Sequence, residues 1–116
     1  MDSILTSIKK LLGVVEDYIH FDGDITIHIN SVLNVLTQLG VGPKEGFVIT
    51  DKSSVWSDFD SDNAKISFIK SYVYLKVKMI FDPPTSSAVI GAIKETIAEL
   101  EWRILAETET TIIEEV

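Results

Sequence analysis

Four runs of apolar residues repeat at three- and four-residue spacing, and strong helix-ending signals separate them. That spacing places the apolar side chains of each run on one face of an α-helix. Gly13, Gly40 and the Pro83–Pro84 pair end the first three runs, because glycine readily adopts the left-handed conformation of a helix exit and proline disfavours helix in the residue before it. The sequence therefore predicts an all-α, mostly helical fold built from four principal helices.

The spacing also gives bounds for the predicted helices, which cover about 2–12, 22–39, 61–81 and 86–106. The second of them carries apolar residues beyond its main stripe, which predicts burial on more than one side. The connection at 41–61 is long for a compact domain. Its composition leaves room for a minor strand at 47–50 or a short helix at 54–59.

A change in composition after residue 106 divides the chain. The segment 107–116 holds four glutamates and no basic residue, and its apolar residues form no helical stripe. We therefore expect a single helical domain over 1–106 and an acidic, flexible C-terminal tail over 107–116 that can extend along a partner.

Charge and hydropathy restrict the classes of partner. The formal net charge is −8 at pH 7, while 46% of the residues are hydrophobic. The negative charge argues against binding to the outside of a nucleic-acid duplex, because the phosphates would repel the protein. The large apolar share predicts that neighbouring subunits cover part of it. Lys76 and Lys78 interrupt the apolar stretch 72–81, so no segment reaches transmembrane length. We expect a soluble protein with no membrane partner.

Residues that could support catalysis or hold a metal are few, and the absence of cysteine excludes thiolate chemistry and cysteine-ligated zinc. The nearest approach to a metal site is a group of four side chains around the start of the second helix, namely His20, Asp22, Asp24 and His28. Helix capping by the aspartates and surface positions for the histidines explain this group better. The serines at 53–54 and 86–87 lack the glycines that flank a nucleophile. We therefore predict no catalytic, cofactor or metal site and no enzymatic activity.

Several short segments resemble those of a known protein family. They are residues 81–89 (FDPPTSSAV), 99–103 (ELEWR), 29–32 (INSV), 39–42 (LGVG) and 56–59 (WSDF). Together they resemble the small head–tail connector, or adaptor, proteins of long-tailed bacteriophages, and the resemblance covers residues 1–106. None of these segments is a catalytic signature.

Membership of that family implies a helical protomer that assembles with itself into a ring, of around twelve copies in the virion. The implied ring docks under the portal protein, meets a tail-side connector or completion protein, and continues the channel through which DNA passes. The implied location is the virion neck, after assembly in the host cytoplasm. An acidic surface suits such a channel, because a channel that attracted phosphates would hold the DNA instead of letting it slide.

Contacts with neighbouring subunits or partners are expected from the 41–61 loop, the proline turn, the end of the fourth helix and the tail. The expected contact residues are Phe47, Val48, Ile49, Trp56, Phe59, Pro83, Pro84, Trp102, Arg103, Ile112 and Ile113. The alternative function is a non-catalytic helical interaction or regulatory module that binds a partner protein. A native mass measurement separates the two functions, because a ring is a large oligomer whereas such a module is a monomer or forms a 1:1 complex.

Overall fold

The computed structural model describes the backbone of residues 2–115 and the side chains of residues 2–108. Within that part of the chain the helices are α1 (Ile4–Leu12), α2 (Asp22–Gln38), α3 (Trp56–Phe59), α4 (Asn63–Phe81) and α5 (Ser87–Glu115). One isolated antiparallel bridge, between Ser3 and Val55, is the only extended pairing in the same described residues. The mostly helical class predicted from the apolar spacing is confirmed.

The ends of the helices follow local capping chemistry. Ser3 caps α1 by accepting a hydrogen bond from the Thr6 amide at 3.2 Å, and Gly13 ends α1 in the left-handed conformation with φ of 82°. Asp62 caps α4 by accepting from the amides of Ala64 and Lys65. These contacts satisfy amides that have no partner inside the helix, so α1 and α4 begin where the sequence supplies an acceptor, whereas α2 begins after Phe21 without a side-chain cap.

The core forms where α2 packs against α4 and both pack against α1. α2 contributes five buried apolar side chains, which are Ile25, Ile29, Val32, Leu33 and Leu36. Leu33 lies off the main stripe and is nevertheless fully buried, whereas Ile27 on the other side of the helix is 63% exposed. α2 is therefore buried over a wide face but not around its whole circumference.

The long loop between α2 and α4 contains the short helix α3 and no strand at 47–50. In place of a strand partner, the side chain of Asn30 on α2 pairs with the backbone of Ile49. Its Nδ2 donates to the Ile49 carbonyl at 2.9 Å, and its Oδ1 accepts from the Ile49 amide at 2.8 Å. This pairing satisfies both backbone groups of a buried residue, so the loop is fixed to α2 without a sheet.

A second set of contacts fixes α3 to α1. The indole Nε1 of Trp56 donates to the Ser7 hydroxyl at 2.8 Å, and the Ile4 amide donates to the Ser54 carbonyl at 3.0 Å. Trp56 is fully buried as a result. The loop therefore supplies part of the core instead of lying over it.

The last helix is longer than the sequence predicts. α5 continues to Glu115, whereas the apolar stripe predicts an end at 106 and an extended tail beyond it. No glycine or proline occurs between 107 and 115, and lengthening an existing helix requires no new nucleation. The expected helix end at 106 is therefore wrong, and the backbone at 107–115 continues the helix.

A buried lysine holds the connector between α1 and α2, residues 13–21. The Nζ atom of Lys9 donates to the carbonyls of Glu16 at 2.8 Å and Tyr18 at 3.0 Å, and it lies 2.8 Å from Oδ1 of Asp22. The Lys9 side chain is almost fully buried. The ammonium thus donates to two backbone carbonyls and forms an ion pair with one carboxylate, and a single side chain holds the connector in one conformation.

Replacement of Lys9 by Met is expected to lower the free energy of unfolding by about 2 kcal/mol, because it removes these bonds and leaves the Asp22 carboxylate without its cation. Partial exposure of Asp22 allows some rehydration and keeps the loss moderate. Urea unfolding measures the change. Lys10→Met is the matched control, since Lys10 is exposed on the same helical turn, and we expect a change within about 0.5 kcal/mol. Equal losses in the two variants would contradict the role given to Lys9.

Candidate assembly interface

Two large apolar side chains lie exposed along a groove between α4 and α5. They are Phe68 and Trp102, of which Trp102 is 69% exposed. Both line the groove, which has a volume of ≈ 360 Å³ and includes Val41 in its lining. We call Phe68, Trp102 and the groove they border the groove surface. Exposed apolar side chains grouped in this way are typical of an interaction site.

The antiparallel packing of α5 on α4 positions the groove surface. Ile97, Leu100 and Ile104 pack against the core from α5, and Ile104 is buried. Trp102 precedes Ile104 by two residues, which rotates it about 200° around the helix and away from the core. The exposure of Trp102 is therefore a consequence of the helix register.

A second group of exposed apolar side chains lies in the connector. Val15 is 69% exposed, Ile19 is 71% exposed and Tyr18 is also exposed, with the acidic Glu16 and Asp17 between them in the chain. We call residues 15–19 the connector surface. It differs from the groove surface in combining apolar side chains with negative charge.

Aromatic packing places the connector at the C-terminal end of α4. The Tyr18 and Phe21 rings lie 5.6 Å apart, and the Phe21 and Phe81 rings lie 5.3 Å apart, both edge to face. Phe68, in the groove, is thirteen residues before Phe81 on the same helix, a rise of about 20 Å. The two surfaces therefore lie towards opposite ends of α4.

The basic side chains of α4 have different surroundings. Lys70 pairs with Asp2 at 3.2 Å and Lys78 with Asp82 at 3.8 Å, while the Nζ atom of Lys76 lies 5.9 Å from the centre of the Tyr72 ring. Lys65 lines the groove and makes no ion pair with the residues that the structure describes. On α5, Arg103 lines the groove and pairs with Glu99 at 2.9 Å. The helix therefore presents no continuous basic strip, in agreement with the scattered lysine positions in the sequence.

A buried tyrosine joins α4 to α5 below the groove surface. The Tyr72 hydroxyl donates to Oε1 of Glu101 at 2.9 Å, and the Tyr72 side chain is fully buried. Burial raises the pKa of Tyr72 well above its usual range, and the bond to the Glu101 carboxylate and its negative charge raise it further. The packing of α4 against α5 thus requires the neutral form of Tyr72.

Stability is therefore expected to fall as pH rises above about 10, where tyrosine ionises in the unfolded chain but not at this buried site. Because the folded-state pKa is raised, the contribution of Tyr72 is complete below that pH and is lost above it. Tyr72→Phe is expected to cost about 1 kcal/mol at neutral pH through the lost hydrogen bond and to show a smaller alkaline decline. Urea unfolding of both proteins across this range measures the difference. Parallel pH curves would contradict the assignment.

Several residues expected to contact partners lie in the interior instead. Ile49, Trp56 and Phe59 are buried within the protomer, which leaves these side chains little surface for the expected partner contacts. Asn30 and Ser7 draw the first two inward, and the ring of Phe59 packs against that of the half-buried Phe47 with centroids 5.5 Å apart.

The remaining expected contact residues are placed as follows. Val48, Pro83, Trp102 and Arg103 are exposed and Pro84 is half-buried, while the side chains of Ile112 and Ile113 lie outside the described residues. Trp102 and Arg103 lie together at the groove, whereas Val48 and the proline turn are not part of it. The expectation did not include Phe68 or the connector surface. The signal available for the connector was an apolar segment, 14–21, that belongs to no helical stripe.

Neither a metal-binding cluster nor a membrane span occurs in the described residues. No group of three or more His, Asp or Glu side chains in that part of the chain is arranged to hold a metal ion. Among the same residues, no helix has both the length and the apolar character needed to cross a bilayer. The groove surface and the connector surface are thus the candidate interaction sites within the described residues.

Comparison with known protein families gives a match over most of the chain. The model of a family described as phage connector protein matches residues 4–111, which includes α1 to α4 and most of α5. No curated protein and no solved structure gives a significant match.

Proposed function

The chain belongs to the phage connector protein family, and from that premise we propose that it forms a ring at the neck of the virion. A structural connector role follows from the family. In the proposal, the ring joins the portal protein to a tail-side connector or completion protein and continues the channel for DNA. Assembly takes place in the host cytoplasm. DNA passes through the channel without binding to a specific site.

The proposal of a ring is supported mainly by the presence of two unlike apolar surfaces on one protomer. A two-fold dimer needs one surface that is complementary to itself, whereas a ring needs two different surfaces that meet head to tail. The groove surface and the connector surface differ in residue type and lie towards opposite ends of α4, where Phe68 and Phe81 are separated by a rise of about 20 Å. This arrangement supports repeated head-to-tail contact.

The charge of the chain supports the channel part of the proposal. A net charge of −8 on each copy gives a ring a strongly negative field, which repels phosphates and lets a duplex slide. In the long loop, Asp58 and Asp62 also accept backbone hydrogen bonds. Their carboxylates therefore shape the loop as well as adding charge.

The two tryptophans provide a direct test of assembly. Trp56 is buried in the isolated protomer and Trp102 is exposed, so covering the groove surface should move only the Trp102 emission to shorter wavelength. Native mass measurement and negative-stain microscopy should show a closed oligomer at concentrations where this shift occurs. Portal-containing particles should capture the protein.

Variants distinguish this function from the alternative module. Trp102→Ser should weaken assembly, while Val48→Ser, at another exposed apolar residue outside the groove, should not. A stable monomer that portal-containing particles fail to capture, or that binds a soluble protein 1:1 in their place, would overturn the proposed function.

A further inference from the structure

We propose that the groove surface of one copy receives the connector surface of the next copy, so that Val15 and Ile19 of one chain cover Phe68 and Trp102 of its neighbour. The inference rests on the self-assembly proposed above and names the two surfaces that form the contact. Its occupant is a second copy of this chain.

Apolar complementarity is the first argument. Val15 and Ile19 are among the most exposed large apolar side chains of the described residues, and Trp102 is exposed to a similar extent. Each surface leaves apolar area in water that contact with the other would bury. Burial of such area is the main favourable contribution to association.

Charge is the second argument. Glu16 and Asp17 lie between the apolar residues of the connector surface, and Lys65 and Arg103 line the groove. Glu107 lines the same groove and Glu99 pairs with Arg103, so the groove is mixed in sign, with Lys65 as its cation without an ion pair among the described residues. On a chain of net charge −8, two cations beside exposed aromatic rings lower the repulsion that an acidic segment meets at the groove.

Geometry excludes insertion of the connector into the groove of its own chain. Phe21 packs on Phe81 and so fixes the connector at the C-terminal end of α4, about 20 Å from Phe68 by helical rise. The contact must therefore be between chains. Because the two surfaces are different, each copy can engage two neighbours, which is the condition for a ring.

Preorganisation is the last argument. The bonds of Lys9 to the carbonyls of Glu16 and Tyr18 hold the connector in one conformation before any partner arrives. A segment that is already ordered loses less entropy on binding. Lys9 thus has a second role, in presenting Val15 and Ile19 outward.

Charge reversal on each side tests the contact. One variant carries Lys65→Glu and Arg103→Glu, and a second carries Glu16→Lys and Asp17→Lys. Sedimentation velocity of the full chain at low salt measures self-association, and melting curves check folding. Each variant alone should associate at least about tenfold more weakly than the parent, because every contact then joins like charges.

Complementation gives the decisive result. Mixing the two variants places an acidic groove against a basic connector and a basic groove against an acidic connector, so an alternating assembly should recover. A single chain with all four substitutions should recover as well. Matched control reversals at Lys44 and Glu45, two exposed loop residues that line neither the groove nor the depression bordered by Ile19, should leave association unchanged.

Each other outcome identifies what has failed. If the parent forms rings and the reversed variants form them equally well, or if mixing restores nothing, the inference is overturned while the proposed function stands. If the reversed variants assemble but are no longer captured by portal-containing particles, the groove binds a different protein and the inference is also overturned.

Covalent cross-linking tests the same contact if the parent protein assembles only on portal-containing particles. The natural chain has no cysteine, so Ile19→Cys and Trp102→Cys proteins can be mixed on portal-containing particles and treated with a short bismaleimide. Cross-linked dimers should exceed those from Val48→Cys mixed with Trp102→Cys. Equal yields overturn the inference, whereas failure of particle capture itself counts against the proposed function.

Discussion

Leu36→Ala is expected to lower the free energy of unfolding by about 4 kcal/mol, a large share of the stability of a domain of this size. Leu36 has no exposed surface and lies in the part of α2 that packs on the rest of the core. Its carbonyl also accepts the amide of Val41 at 2.9 Å, where the long loop leaves the helix. A cavity at this point cannot fill without moving both the helix and the loop.

Leu100→Ala provides the comparison, since it removes the same atoms from a half-buried position on α5. We expect a loss of about 1–2 kcal/mol there, because solvent already reaches part of the side chain. Urea unfolding of both variants measures the difference. A Leu36→Ala protein that melts within a degree or two of the parent would show that the core has been assigned wrongly.

Gly42→Ala is expected to be nearly as harmful, at about 3 kcal/mol. Gly42 has φ of 82°, in the region that residues with a side chain avoid, and an added Cβ would lie 2.5 Å from Cε1 of Phe59. The ring of Phe59 is buried and packs against Phe47, so it cannot move aside freely. Backbone strain and overpacking add at this position.

Gly46→Ala separates the two causes. Gly46 also has positive φ, 93°, but an added Cβ would meet no atom within 4 Å. Its substitution should therefore cost only the conformational strain, about 1–2 kcal/mol. Thermal and urea unfolding of the two variants give the contribution of the Phe59 contact by difference. Equal losses of stability in the two variants would mean that the Phe59 ring moves aside and that backbone strain alone causes the loss.

Much of the helical fold could be predicted because its signals are local. The spacing of Ile29 and Leu36, the left-handed exit at Gly13 and the Pro83–Pro84 turn each depend on neighbours within one or two turns of the chain. The structure confirms burial of Ile29 and Leu36 and the ends of α1 and α4. Such features are set by periodicity and capping, which a sequence displays directly.

The burial of loop residues could not be predicted, because distant polar partners determine it. Trp56 is held by Ser7 and Ile49 by Asn30, residues 49 and 19 positions away. The connector surface depends likewise on Lys9, a residue type that is seldom fully buried. No neighbouring residue in the sequence indicates that the Lys9 side chain is buried and holds the connector. The sequence therefore indicated that surplus apolar surface exists but not where it lies.

The arrangement of α5 has a consequence for how the protomer opens. α5 packs along α4 as its helical neighbour, and over residues 87–99 only Ile90, Ile93 and Ile97 are even partly covered. Among the described side chains α5 contributes one buried apolar residue, Ile104, whereas α2 contributes five, so we expect separation of α5 to require less free energy. We therefore expect the amides of α5 to exchange their hydrogens with solvent through a local opening at the proline turn, and those of α2 to exchange only when the whole domain unfolds.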